Sequence, residues 1–336
     1  MRRRRIVRAL PAACLVALLA GCRRQAPTGQ QSPSTMSPYG PKSSLVTFDS
    51  WVLFAVAGFV CLVIILLAVL AVVFRRHPKR VHTDSSQGIV VAFGIVIPSI
   101  VFAGVFAMSV TGIAGNAAPP SATKVTVDVT GHQWWWAARY PQAGFTTANE
   151  IHIPVGTPVK VVLRTADVIH SFWVPQLTPK TDLIPNRPNT IWLSADRAGV
   201  YRGECAEYCG LQHANMDFQV VAQPRAAFQK WLSGQQGPAR TPTTAEERAG
   251  LKVFTTSSCT TCHTIRGTSA NGKVGPDLTH VASRSRLAAG VIPNDFGNMA
   301  GWVANSQTIK PGNKMPPQSL SPDDLRSVVT YLQSLK

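Results

Sequence analysis

The chain has 336 residues, 45% of them hydrophobic, and a formal net charge of +17. Such a charge would suit nucleic acid, but its placement excludes that partner. Five arginines precede residue 9, and Arg75, Arg76, Lys79 and Arg80 cluster between two apolar runs, which is where membrane proteins carry basic residues. The length itself predicts two or three domains.

Residues 1–21 predict a lipoprotein-type signal peptide. Arg2 to Arg5 are followed by an apolar stretch too short for a span and then by Leu19-Ala20-Gly21-Cys22, which resembles the bacterial lipobox and makes Cys22 the expected lipidation site. The alternative is an ordinary signal with a chance cysteine. Residues 22–49, rich in Ser, Pro and Gln, read as a flexible tether. Residues 50–114 predict a two-helix transmembrane hairpin. Trp51 to Phe74 carries no charge, and as a helix it extends roughly 36 Å, enough for a hydrocarbon core of about 30 Å. Ile89 to Ile113 is a second uncharged run, interrupted by Pro98. A buried soluble hairpin is the competing reading. The basic loop between the runs belongs in the cytoplasm. The expected location is therefore the bacterial cytoplasmic membrane, with two spans and everything after about Ala114 on the extracytoplasmic side.

From Lys124 the pattern changes to period two: Val125, Val127 and Val129 alternate with Thr126, Asp128 and Thr130. Short β-rich runs follow at 150–153, 159–164, 189–193, 199–203 and 218–221, which predicts an all-β sandwich or barrel over residues 120–225. Residues 234–244 read as a linker. Residues 245–336 return to a helical period, with helices expected from Ala245 to Phe254 and from Pro322 to Leu335. Ser321 is the N-cap of the second, and Asp323 and Asp324 lie in its first turn.

The stretch Cys205-Ala-Glu-Tyr-Cys209-Gly-Leu-Gln-His213-Ala-Asn-Met216 concentrates soft donors, which favour copper over magnesium, calcium or manganese. His170 lies upstream in Asp-Val-Ile-His-Ser-Phe-Trp, read as a turn between apolar runs. Two cysteines four residues apart can bridge two copper ions, with one histidine for each. The same Cys and His residues would also suit tetrahedral zinc, or a disulfide would consume the cysteines. Zinc leaves Met216 without a role.

Cys259-Thr-Thr-Cys262-His263 is the c-type haem attachment pattern: two thiols add across the vinyl groups and the histidine ligates the iron. Met315-Pro316 follows about fifty residues on, and a His/Met axial pair suits electron transfer. Met299 is the competing axial candidate, and a zinc or thiol redox site is the alternative use of the motif. The seven cysteines are then all assigned: Cys14 leaves with the signal, Cys22 takes lipid, Cys61 sits inert in an apolar helix, and the other four serve the two centres. No disulfide is required.

The run from Val159 to Val221 resembles the extramembrane domain of cytochrome c oxidase subunit II, through Asp167 to Pro175, Lys180 to Pro185 and the copper loop. Ala245 to Lys336 resembles a class I cytochrome c, including Gly275-Pro276-Asp277-Leu278. Together they resemble a caa3-type subunit II. The resemblance implies a cupredoxin-like Greek-key domain holding binuclear copper A through His170, Cys205, Glu207, Cys209, His213 and Met216, with Glu207 acting through its backbone carbonyl. It implies covalently bound haem c on Cys259, Cys262, His263 and Met315, the last following the Lys310-Pro-Gly-Asn-Lys loop. It implies magnesium near the Glu207 carboxylate at the border with subunit I, with Asp182 in the same polar network. Trp134 in Gly131-His-Gln-Trp-Trp-Trp136 would be the point of electron uptake; an interfacial aromatic belt is the alternative.

The implied function is to pass electrons from haem c through copper A to subunit I, which reduces oxygen to water coupled to proton pumping. No oxygen-reducing or acid–base site lies on this chain. Implied partners are subunits I and III, membrane lipid, and an upstream donor, either cytochrome c or quinol–cytochrome c reductase. A copper-A nitric oxide reductase subunit or a free-standing membrane-anchored electron carrier are the other readings. The chain departs from the family pattern at Val91, where many relatives carry a glutamate near a proton entrance. It also lacks an acidic docking face: residues 124–223 hold eight basic and eight acidic residues, whereas residues 245–336 hold ten basic and six acidic, a net of +4. An attached donor needs little long-range steering, so the native route is expected to run through the attached haem.

Overall fold

The computed structural model describes residues 34–74, 83–120 and 123–336. The signal segment, Cys22 and the basic loop at 75–82 lie outside the described residues. Helix α1 (Pro41–Val73) and helix α2 (Gln87–Ala117) are long and apolar enough to cross a membrane, and their apolar windows have no buried residues within the chain. Side chains such as Phe54, Phe59, Phe102 and Phe106 are 62–71% exposed, an apolar surface that water would penalise and lipid would cover. Helix α1 begins at Pro41, inside the stretch read as tether. Pro at the first helical position favours initiation there, and Ser43 Oγ donates to Gln176 O at 2.6 Å, which anchors the helix to the domain that follows. In α2 a π-helical turn over Ala92–Val96 precedes Pro98, whose missing N–H cannot complete the regular ladder.

The middle domain is a sandwich of two five-stranded sheets, ordered β3-β2-β1-β5-β8 and β4-β10-β9-β6-β7. The six runs read as strands are β1 (Val125–His132), β4 (Glu150–Pro154), β5 (Val159–Thr165), β8 (Asn189–Leu193), β9 (Gly199–Cys205) and β10 (Phe218–Gln223). Four more strands escape the pattern: β2 (Trp135–Tyr140), β3 (Phe145–Ala148), β6 (His170–Val174) and β7 (Thr178–Leu183). His170 therefore does not sit in a turn. It opens β6, because Phe172 and Trp173 pair with Cys205 and Glu204 of β9 and draw the run into the sheet. Alternation along β1 and β5 puts Val127, Val129, Val161 and Leu163 inside, all 0% exposed, against Trp136, Phe172 and Phe218. Burying each such side chain contributes roughly 1.5–3 kcal/mol.

Helix α3 (Arg225–Gln236) follows β10 and runs into the stretch read as linker. The last domain contains α4 (Ala245–Thr256), α5 (Cys259–Cys262), α6 (Phe296–Ala304), α7 (Ser306–Ile309) and α8 (Pro322–Ser334), plus a short hairpin of β11 (Arg286–Leu287) and β12 (Ile292–Pro293). Ser321 caps α8, its hydroxyl accepting from Asp324 N at 3.1 Å. Helices α4 and α8 cross at Gly250, where a Cβ would lie 2.0 Å from Ser327 O, so only glycine permits the approach.

Candidate metal centre and haem cavity

Strand β6, the end of β9 and the loop after it bring five of the expected copper-binding side chains together. Cys205 Sγ lies 3.9 Å from Cys209 Sγ and 3.8 Å from His170 Nδ1. Cys209 Sγ lies 3.6 Å from His213 Nδ1 and 3.3 Å from Met216 Sδ. The Glu207 carbonyl is 3.3 Å from Cys205 Sγ. The cysteines are free thiols at this separation, which sets the disulfide aside. His170, Cys205, Cys209 and Met216 are buried, and the aromatic floor under them is tied to the loop by Trp136 Nε1 donating to Met216 O at 3.0 Å.

The electrostatics suit a pair of cations. A hydrogen bond from the Cys209 thiol holds Cys205 far below the ordinary thiol range, with His170 adding to the effect. The same bond pushes Cys209 upward. The two sulfurs thus give up one proton readily and the second reluctantly, and bound cations would remove the second. His170 Nε2 is 2.8 Å from Asp167 Oδ1, which leaves Nδ1 toward the sulfurs. Desolvation would raise Asp167, but hydrogen bonds from His170, Gln133 N and Val168 N hold it below the usual carboxylate range. The donor set of two thiolates, two imidazoles, a thioether and a carbonyl fits two soft cations better than one tetrahedral zinc.

The Glu207 carboxylate does not join this cluster. Its side chain is 45% exposed and 3.9 Å from Lys180 Nζ, which also lies 4.0 Å from Asp182, itself 41% exposed on the surface of this chain.

A cavity of about 420 Å³ lies between the middle and last domains. Cys259, Cys262, His263, Met299 and Met315 all line it, with Phe254, Leu278, Val303 and Leu332 among its apolar walls. His263 Nδ1 is 2.8 Å from Pro276 O, which fixes the tautomer with Nε2 as the ligating nitrogen. Burial keeps the imidazole below its ordinary pKa and so neutral. Gly275 lets the backbone touch the ring: a Cβ there would be 2.7 Å from His263 Cε1. Met299 sits in the helical core with Gln333 Nε2 3.5 Å from its sulfur. Met315 sits on the loop, its backbone held by Asn313, Ser306 and Gln307. Arg284 reaches the same cavity with a buried Nε that has no protein partner, an orphan that an anionic group would satisfy. Apolar walls, a neutral imidazole, two thiols and an arginine with an unsatisfied buried Nε fit a haem.

The three consecutive tryptophans part company. Trp136 is core, and Trp135 stacks on His132 at 4.2 Å. Trp134 lines the cavity while its Nε1 donates to Cys209 O at 3.1 Å. Asp167 and Lys310 were read only as parts of family motifs, with no role of their own, and Arg284 was not read at all. Only Asp167 had a signal, its i,i+3 spacing to His170.

Fold and site together define an electron-transfer protein: a cupredoxin-like domain with a two-thiolate metal centre, fused to a c-type cytochrome domain on a pair of membrane-type helices. Residues 144–223 match the family described as cytochrome C oxidase subunit II, periplasmic domain, and residues 247–336 match cytochrome c. Cytochrome c oxidase subunit 2 of Alkalihalophilus pseudofirmus is 33% identical over 98% of this chain and 97% of that protein. Its counterpart from Bacillus sp. strain PS3 is 34% identical over 63% of this chain and 62% of its own length. A crystal structure of the periplasmic domain of subunit II from Bradyrhizobium japonicum, 30% identical, covers 34% of this chain and 95% of that one, with a TM-score of 0.33. This chain belongs to the cytochrome c oxidase subunit 2 family, in its fused caa3-type form, and its two domains imply copper A and haem c.

Proposed function

We propose that this chain is the electron-accepting subunit of a membrane-anchored haem–copper oxidase, taking electrons at the attached haem and passing them by way of copper A to subunit I, where oxygen is reduced with proton pumping. The observation that carries the route is Trp134, which walls the haem cavity and hydrogen-bonds the carbonyl of Cys209. When bound, the two groups supply one-electron chemistry at potentials set by ligand type and burial. The residues of the chain hold and orient. Cys205, Cys209, His170, His213, Met216 and the Glu207 carbonyl would hold the copper, offering two thiolates, two imidazoles, a thioether and an amide oxygen. Cys259 and Cys262 would tether the haem, His263 and Met315 would ligate its iron, and Arg284 would face its carboxylates.

Magnesium belongs at the border with subunit I. There the Glu207 carboxylate would supply one ligand and the partner chain the rest, with magnesium displacing Lys180, now 3.9 Å away. Subunit III, a cytochrome c or quinol–cytochrome c reductase donor, and lipid attached at Cys22 after removal of a signal peptide complete the assembly on the extracytoplasmic side of the bacterial membrane.

The test is the Cys259→Ala/Cys262→Ala oxidase. Turnover with the native donor should fall at least tenfold while the copper spectrum persists. Unchanged turnover would refute the route through the attached haem.

A further inference from the structure

The last domain is seated on the copper domain by the loop before Met315 and by the β11–β12 hairpin. Between α7 and Met315, Pro311 O accepts from Gln212 Nε2 of the copper loop at 2.6 Å. The neighbouring Lys310 is 2% exposed, and its Nζ donates to Trp134 O at 2.7 Å and to Ala288 O at 3.1 Å. No carboxylate among the described residues lies within 4.0 Å of that ammonium.

Ala288 and Ala289 form the tip of the β11–β12 hairpin with φ of 54° and 58°, a left-handed conformation that alanine adopts only when its surroundings enforce it. The surroundings here are the copper domain: Asp217 N donates to Ala289 O at 2.9 Å. Gly290 is packed so tightly that a Cβ would lie 2.7 Å from Asp217 Cβ. A long cation without an ion pair is a costly filler for an interface between two domains, and its burial pushes the Lys310 amine down to about 7. An apolar side chain would pack there more cheaply, so the two carbonyl contacts are what the lysine provides.

We propose that Lys310 is a positioning residue for electron transfer: by joining the loop that carries Met315 to the Trp134 carbonyl, it fixes the haem edge against the copper loop. Electron transfer then occurs between partners held at one distance instead of by repeated docking of a tethered domain. The inference rests on the route through the attached haem proposed above. The joint is buried, so salt should not weaken it, unlike the Lys314–Asp167 pair at 3.6 Å on its rim, where the lysine is exposed.

The experiment uses the purified oxidase complex, wild type and Lys310→Met, a change that keeps chain length and removes the donors. Pulsed EPR gives the haem–copper distance distribution, and flash reduction of the haem gives the internal transfer rate. For the wild type we expect a narrow distribution and a rate that does not change between low and high salt. Lys310→Met should broaden the distribution and slow transfer at least tenfold, with optical spectra and both potentials unchanged. An equally narrow distribution and unaltered rate in the variant would overturn the assignment while leaving the route intact. A wild-type rate that falls steeply with salt would also overturn it, and this arm holds even if the variant fails to assemble. If wild-type haem delivers no electrons to copper at all, the route and the inference fall together.

Discussion

Asp167 orients the His170 imidazole. One carboxylate oxygen is 2.8 Å from His170 Nε2, and the other accepts from Gln133 N at 2.8 Å. Removing the charge in Asp167→Asn should leave the fold intact and weaken copper retention roughly 10–100-fold, the usual effect of losing such a partner. Competition with a copper chelator would measure it, and retention equal to wild type would count against the role. Sulfur and imidazole donors are scarce and, His170 apart, fall within one short stretch from Cys205 to Met216, so the side chains that the fold gathers there were legible as candidates in the sequence. Asp167, Arg284 and Lys310 were not, because their roles come from burial and from contacts across the fold. Trp134 illustrates the boundary: the family resemblance singled it out among three adjacent tryptophans, but only the fold shows Trp136 in the core and the Trp134 ring nitrogen on the Cys209 carbonyl.

At the scale of elements, helix α4 starts with a capping box in which Thr244 Oγ1 accepts from Glu247 N at 3.1 Å and the Glu247 carboxylate accepts from Thr244 N at 3.2 Å. Hydrogen bonds led by that from Thr243 N pull Glu247 from an ordinary 4.5 down to about 2. The folded value lies below the unfolded one, so this stabilisation is complete above about pH 4.5 and is lost as pH falls toward 2. Acid titrations of stability should show wild type losing it across that window, while Glu247→Gln is less stable at neutral pH and flatter through it. An identical slope in the two proteins would refute the cap's contribution.

Gly250→Ala should cost about 1–3 kcal/mol by overpacking the α4–α8 crossing, read from denaturant unfolding followed at the haem band. Stability within experimental error of wild type would show that the crossing can relax.

Three of the strands that escaped the sequence pattern have identifiable physical reasons. β3 and β7 are edges of their sheets, where charge and proline such as Pro179, Lys180 and Asp182 are tolerated and period two fades. β2 alternates in burial but not in polarity, since Trp135 and Ala137 face outward from Trp136 and Ala138.

For the whole molecule, the last domain packs against Trp134, which lines the cavity between the two domains, while Leu211 beside it stays 70% exposed. Leu211 Cδ2 lies within 2.6 Å of where a Cβ on Gly312 would stand. The tethered donor needs no acidic docking face on the copper domain, in keeping with its zero net charge over residues 124–223. An oxidase whose subunit II ends at residue 244 should therefore keep its copper spectrum and lose most turnover with the native donor. Full turnover in that variant would mean that the donor reaches copper directly.

The central claim is a bridged copper pair beside a covalent haem on one polypeptide. Metal analysis combined with EPR of the purified full-length chain tests it most directly. We expect two copper ions and one c-type haem per chain, with a mixed-valence copper signal that disappears in either Cys205→Ser or Cys209→Ser. One copper with a mononuclear spectrum, or zinc in its place, would contradict the account.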